Sequence, residues 1–278
     1  MRFSINCKGQ LIDLSQPKIM GILNVTPDSF YDGGRLKSDT DIIKKVGKML
    51  EEGATFIDVG GYSSRPNAKH INESEEEKRV LPVIELLVQE FPDILISVDT
   101  FRSEVAKHAI TSGASMVNDI SGGSIDNKMF ETVAKLKVPY ILMHMQGTPQ
   151  NMQQNPVYKD VVHNLIFYFS KKIAQLCTLG MSDIILDVGF GFGKTLEHNY
   201  QLLKYLNLFK NLEVPILTGI SRKSMLWKLL ETSPEMALNA TTVANTLALM
   251  KGTHILRVHD VKEAMEAVKI TSFLKSVE

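Results

Sequence analysis

Ile184-Ile-Leu-Asp-Val-Gly-Phe-Gly-Phe-Gly-Lys-Thr195 holds one complete strand-to-helix transition. Three apolar residues lead to Asp187, glycines alternate at 189, 191 and 193, and the amphipathic LEHNYQLLKYL follows. An apolar run, a glycine-bearing turn and a helically spaced stretch read as a buried strand, a functional loop and a helix. A carboxylate where a buried strand runs out is costly unless donors meet it. Asp187 therefore marks a pocket that presents N–H groups.

Two nucleotide readings fail on spacing. A Walker A loop needs a glycine separated by four residues from Gly-Lys-Ser/Thr, and Val188 stands at that position. The glycines at 189–193 lack the third spacing of a dinucleotide fingerprint and come too late for a first strand–helix turn.

Outward from this stretch the same unit recurs. Apolar runs at Ile19–Val25, Phe56–Gly60, Ile94–Thr100, Met116–Ile120 and Pro139–His144 precede it, and Pro215–Ile220 and His254–His259 follow. Helical stretches separate them. Ser38 and Asp41 form a capping-box-like start that Gly53 closes. Pro82 within Asn72–Phe91 predicts a helix that starts or kinks there, and Ser233-Pro234 predicts an N-cap with a proline at the first helical position. Eight runs alternating with eight helical segments are the pattern of parallel strands with crossover helices. In about 250 residues they predict a closed (β/α)8 TIM barrel, one domain over residues 1–278. A doubly wound open sheet is the alternative; the count of eight and the absence of linker composition favour closure.

Composition narrows the function classes. Lys+Arg and Asp+Glu are 31 each, and 44% of the 278 residues are hydrophobic. No electrostatic footprint for nucleic acid or an anionic membrane is present. Cys7 and Cys177 form no metal-type pair. No apolar run approaches the roughly 18 residues of a membrane span, and the N-terminus lacks the apolar core of a signal peptide. The expectation is a soluble cytoplasmic protein.

Nearly every unexpected polar residue falls at a strand's C-terminal end, where the active face of such a barrel lies: Asn24, Asp58, Asp99, Asn118-Asp119, His144, Asp187, Ser221-Arg222-Lys223, Arg257 and His259. Singly, each has an ordinary reading: an Asp or Asn near a helix start as a cap, His144 as a satisfied structural histidine, Arg222 and Lys223 as helix surface. Jointly they predict a site, because caps have no need to fall inside apolar runs. Arg65, Arg257 and His259 with Asn24 suit an oxygen-rich anion, since arginine forks match phosphate oxygens. The Asn24 carbonyl suits a hydrated, phosphate-bridging Mg²⁺. Asp99, Asn118 and Asp187 suit a flat heterocycle with adjacent ring and exocyclic N–H groups, and Lys223 its carbonyl or ring nitrogen. The residues thus imply a Mg²⁺-assisted transfer involving a phosphorylated, nitrogen-rich ring.

Asn24-Val-Thr-Pro-Asp-Ser-Phe30 resembles the first-loop signature of dihydropteroate synthases, and Asp58-Val-Gly-Gly-Tyr-Ser-Ser-Arg-Pro66 their second-loop motif. Val98-Asp99-Thr100, Asn118-Asp119-Ile120, Met143-His-Met-Gln-Gly-Thr148, Asp187-Val-Gly-Phe-Gly-Phe-Gly-Lys194, Ser221-Arg222-Lys223 and Arg257-Val-His259 are similar to later motifs of the family, in the same order. The resemblance implies attack of the 4-aminobenzoate amine on the methylene of 6-hydroxymethyl-7,8-dihydropterin diphosphate, giving 7,8-dihydropteroate and pyrophosphate. It implies that Asp99, Asn118, Asp187 and Lys223 hold the pterin, and that Arg65, Arg257, His259 and Asn24 hold the diphosphate, with Asn24 on Mg²⁺. Ser64, Pro66, Phe192 and Ser224 would form the 4-aminobenzoate slot. Asp99, Asp187, Lys223 and Arg257 would carry the chemistry. On this division Arg257→Ala impairs diphosphate handling and leaves bare pterin binding nearly intact. A homodimer through the last barrel helices is implied by the family alone, because the apolar faces of ATTVANTLALM and VKEAMEAVKI are also ordinary core stripes.

The chain departs from the family pattern at Tyr62, where Glu is common, and at Ser64 for Thr, Asn67 for Gly and Val188 for Pro. These departures bear on loop conformation and sulfonamide response. Two rivals stay open. A methyltetrahydrofolate-type methyltransferase would share the pterin pocket but has no diphosphate to hold, and a non-catalytic pterin-binding paralogue would bind without turnover.

Overall fold

The computed structural model describes residues 3–26, 31–32, 35–36, 39–63 and 70–277, with only the backbone at 31–32 and 35–36. Twelve strands are described: β1 (Ser4–Cys7), β2 (Gln10–Asp13), β3 (Lys18–Asn24), β4 (Tyr31–Asp32), β5 (Arg35–Leu36), β6 (Phe56–Gly60), β7 (Ile96–Asp99), β8 (Met116–Asp119), β9 (Tyr140–Met143), β10 (Ile184–Asp187), β11 (Ile216–Thr218) and β12 (Ile255–Val258). The helices are α1 (Asp39–Glu51), α2 (Glu73–Glu90), α3 (Ser103–Thr111), α4 (Met129–Leu136), α5 (Val161–Thr178), α6 (Leu196–Lys204), α7 (Ser224–Trp227), α8 (Leu238–Met250) and α9 (Val261–Ser276), with a 3₁₀ segment at Leu206–Leu212.

β3 and β6 to β12 pair in sequence order, all parallel, and β12 returns to β3. The predicted closed eight-stranded barrel is thus present. Short parallel strands buried on both faces form because helices cover the outside and side chains fill the lumen.

Strand alternation divides the residues. One parity, including Leu23, Val59, Val98, Val117, Leu142 and Leu186, packs outward with the helices in the main core. The other parity faces the lumen in layers. Met20, Phe56, Leu95, Met116, Ile141, Ile185, Leu217 and Ile255 form an apolar bottom layer. Two residues further along each strand stand Ile22, Asp58, Ser97, Asn118, Met143, Asp187, Gly219 and Arg257. The lumen therefore changes from apolar to polar within one step of two residues.

The antiparallel pair β1–β2 closes the bottom. Ile5, Cys7, Ile12 and Leu14 are buried in one cluster with the bottom layer. Sequence reading assigned this stretch no strands, although it alternates about a Lys8-Gly9 turn.

Two helix starts differ from expectation. α2 is capped by Asn72, whose side chain accepts from the Glu75 N–H at 2.9 Å, and it runs from Glu73 through Pro82. The cap decides the start, and the proline deletes one intrahelical donor. Ser233-Pro234 opens a turn instead of a helix, and α8 starts at Leu238. The Arg222 guanidinium takes the Pro234 and Glu235 carbonyls at 3.0 and 2.7 Å. No helix among the described residues is long and apolar enough to cross a membrane.

Candidate active site

The polar lumen residues converge at the C-terminal ends of the strands. Asn24 is level with Gly60, Gly60 with Asp99, and Asp99 with Asn118 in the strand register. Arg257 enters from β12 on the far side of β3. Its Nε donates to Asp58 Oδ2 at 2.6 Å and its Nη2 to Asp99 Oδ2 at 2.7 Å. Asn118 Nδ2 donates to the same Asp58 oxygen at 3.0 Å. Burial, with two carboxylates sharing one guanidinium, pushes the Asp99 carboxyl up to about 7 against the pull of Arg257. The other Asp58 oxygen and the Ser97 hydroxyl have no partner among the described residues.

Asp187 is held from the opposite wall. Its Oδ1 accepts from the Gly189 N–H at 2.8 Å, the backbone donor its position at a strand end demanded. Burial raises its carboxyl above the usual range and the Lys223 charge opposes this. Gly189 adopts φ +69°, and a β-carbon there would stand 2.1 Å from the His144 carbonyl oxygen. Only glycine permits both the turn and the approach. Gly219, between Asp187 and Arg257, leaves the lumen open: a β-carbon there would lie 3.9 Å from Asp187 Oδ2.

Lys223 reaches over this loop. Its Nζ donates to the Phe190 carbonyl and stands 4.6 Å from the Phe192 ring centroid. Burial pushes its ammonium down to about 8, partly offset by Asp187. Phe192 is half-buried against Phe101, Ile120, Met143, Met145 and Met152. Ser224, next to Lys223, opens α7 and is also half-buried. His259 lies across from Ser221, with the hydroxyl 3.1 Å from its Nδ1. Although the residue is exposed, partial loss of solvation beside the loops and the Arg257 charge push its imidazole down to about 4. Ser64, Arg65 and Pro66 lie outside the described residues.

Three strand-end residues play other parts. Asp119 faces outward and is satisfied by Tyr140, Ser121 and Gly123. His144 also faces outward, packed edge-on to Tyr168, and burial pushes it down to about 2. Arg222 forms a two-bond pair with Asp260 at 2.9 Å, tying the loop after β11 to the loop after β12.

Two contributors were missed by sequence reading. Asp58 was noted at a strand end without a role; a carboxylate between Ile57 and Val59 on the lumen parity was the available signal. Lys194 reads in the sequence as the lead into α6. It is buried and donates to the carbonyls of His144, Gly189 and Phe192 at 3.2, 2.9 and 2.9 Å, pinning the loop that carries Phe192.

Comparison with known proteins agrees with this geometry. The profile of the pterin binding enzyme family matches residues 20–259. Dihydropteroate synthase of Escherichia coli K12 is 45% identical over 265 residues, 95% of this chain and 93% of that protein. The Yersinia pestis dihydropteroate synthase, solved as a sulfonamide drug complex, superimposes with a TM-score of 0.93 at 42% identity, covering 99% of this chain and all of that one. The Xanthomonas albilineans dihydropteroate synthase, solved with 4-aminobenzoic acid, gives 0.92 at 37% identity with full coverage of both. With its motifs, barrel and polar lumen all in place, the chain belongs to the dihydropteroate synthases of the pterin-binding enzyme family.

Proposed function

We propose that this transferase of folate synthesis condenses 6-hydroxymethyl-7,8-dihydropterin diphosphate with 4-aminobenzoate, and that the lumen residues divide the work. The observation that carries the assignment is the gathering of Asp99, Asn118, Asp187, Lys223 and Arg257 at one end of a barrel whose other end is stoppered. In this reading Asp187 and Asn118 bind the amino-pyrimidine edge of the pterin, Asp99 takes a ring N–H, and Lys223 donates to a ring nitrogen or carbonyl. Arg257, His259 and Arg65 bind the diphosphate.

The carbon–oxygen bond breaks with its electron pair leaving on the diphosphate. Positive charge develops on the methylene and spreads into the dihydropterin, where the buried carboxylates stabilise it. The 4-aminobenzoate nitrogen supplies its lone pair to that carbon and then loses a proton to solvent. A neutral arylamine needs placement more than activation, and Phe192, Ser224, Ser64 and Pro66 are proposed to give it.

Mg²⁺ fits this donor set only as an ion that the substrate helps to hold. Among the described residues no cluster of three or more His, Cys, Asp or Glu side chains could bind a metal, whereas Asn24 offers one amide oxygen at the mouth. Such an ion would supply charge to the departing diphosphate.

A homodimer in the cytoplasm is part of the proposal. Val243, Leu247 and Met250 of α8 and Ile270, Phe273 and Leu274 of α9 are exposed on two helices packed together, an apolar patch of the kind that marks an interface. Both cysteines are free, as suits a reducing compartment.

The test is pyrophosphate release from the pterin diphosphate with Mg²⁺, with and without 4-aminobenzoate. Release that requires 4-aminobenzoate and yields dihydropteroate is expected. Binding without turnover would make the chain a non-catalytic paralogue.

A further inference from the structure

The loop between β9 and α5 has no part in the reaction as assigned, yet it touches both sides of the mouth. Gln150 Nε2 donates to the Tyr62 hydroxyl at 2.6 Å, and that hydroxyl is 3.3 Å from His70 Nδ1. On the other side Gln153 Nε2 donates to the Gly191 carbonyl at 2.6 Å, and the Tyr158 hydroxyl to the Gly193 carbonyl at 2.8 Å. Between these two attachments the loop is self-braced: Asn151 Oδ1 accepts from the Thr148 N–H at 2.7 Å, and the Thr148 carbonyl accepts from the Met152 N–H at 2.8 Å. Met145 and Met152 are buried in an apolar cluster with Phe101 and Ile120, and both Tyr62 and Phe192 pack against it.

Tyr62 is the position at which this chain departs from the family's usual glutamate. A phenol there meets Phe101 edge-on, at 5.0 Å between centroids, and also accepts the Gln150 amide. A carboxylate could make only the second contact. The second and sixth strand-to-helix loops are thus fastened to one strut by neutral contacts.

We infer that residues 145–153 are the spacer that sets the width of the aryl slot, with Gln150 and Gln153 as positioning residues for 4-aminobenzoate. The inference rests on the proposed function, because the aryl substrate comes from that reading. Two amide donors bound to separate walls fix the distance between those walls, and the buried methionines resist its collapse. Loss of either bond loosens the seat of the arylamine without touching the pterin floor.

Steady-state kinetics on the full-length enzyme test this, varying each substrate in turn. Gln150→Ala, Tyr62→Phe and Gln153→Ala should each raise KM for 4-aminobenzoate about fivefold, the scale of one neutral hydrogen bond. kcat and KM for the pterin diphosphate should stay within about twofold of the parent. The double variant Tyr62→Phe with Gln150→Ala should be no worse than either single one, because both remove the same bond, whereas Gln153→Ala should multiply with either. Gln150→Lys keeps a donor toward the phenol and should retain the parent KM. An unchanged KM for 4-aminobenzoate in active variants, or an equal loss for both substrates, overturns the spacer alone. A parent enzyme that shows no 4-aminobenzoate-dependent release overturns the proposed reaction and the spacer with it.

Discussion

Asp58 and Arg257, 199 residues apart in the chain, meet at 2.6 Å on the lumen floor, and the same Asp58 oxygen accepts from Asn118. One buried carboxylate thus orients a cation and an amide that face the substrate. Asp58→Ala leaves Arg257 with Asp99 alone and Asn118 without its acceptor. It should cost about 3 kcal/mol, the low end for a broken buried pair, and lower the melting temperature by roughly 6–12 °C. Calorimetry checks this, and a melting point within about 2 °C of the parent would contradict it.

The position of Arg257 also changes what its removal does. Sequence reading put it with the diphosphate and expected bare pterin to bind Arg257→Ala normally. Its guanidinium is also the counter-charge of Asp58 and Asp99. Arg257→Ala should weaken the bare pterin as well as its diphosphate, by about tenfold or more for each. Titration calorimetry with both ligands distinguishes the two expectations.

In the proposed roles Asp99 is ionised to accept a ring N–H and Lys223 is protonated to donate. With Asp99 pushed up to about 7 and Lys223 down to about 8, kcat/KM for the pterin diphosphate should rise through the first value and fall through the second. Asp99→Asn should remove the acid limb. The same shift has a stability sign. Native Asp99 holds its proton more tightly than the unfolded chain, so its contribution is full below about 4 and lost as pH rises through about 7.

His259 is neutral before an anion arrives, and an adjacent diphosphate raises its affinity for a proton. Pyrophosphate binding should therefore take up protons and tighten as pH falls toward about 4, the value of the free imidazole. Calorimetry in two buffers of different ionisation enthalpy measures that uptake, and His259→Gln should abolish its share. Identical uptake in the variant would assign the proton elsewhere.

Lys194 donates to two carbonyls of the Phe192 loop, those of Gly189 and Phe192, and to the His144 carbonyl beyond β9. Lys194→Met fills the space and leaves those acceptors unmet, at about 1–3 kcal/mol apiece before relaxation. A lowered melting temperature and a raised KM for 4-aminobenzoate should appear together. Loss of stability with an unchanged KM would limit Lys194 to the scaffold.

The barrel was legible because its strands are short apolar runs broken by turn residues, and closure followed from their number. The site was legible because a polar residue inside such a run has few structural uses. Sequence position did not tell which way each side chain points. Asn118 and Asp119 look equivalent in the chain, but alternation sends one into the lumen and the other outward to Tyr140. Asp58 lay hidden for the complementary reason: its partners come from β8 and β12, contacts that local spacing does not encode. The Ser233-Pro234 prediction failed because Arg222, distant in sequence from that turn, claims its carbonyls.

The stopper formed by Ile5, Cys7, Ile12 and Leu14 has a bearing on the order of events. A tube closed at one end is emptied in the reverse of the order in which it is filled. The pterin, whose proposed contacts lie nearest that stopper, has to enter before the arylamine lies across the mouth. Dihydropteroate must then leave aryl end first, drawing its pterin out behind. On the proposed contacts, traffic through this enzyme is made sequential by a packed barrel floor and the hairpin beneath it, neither of which takes part in the chemistry.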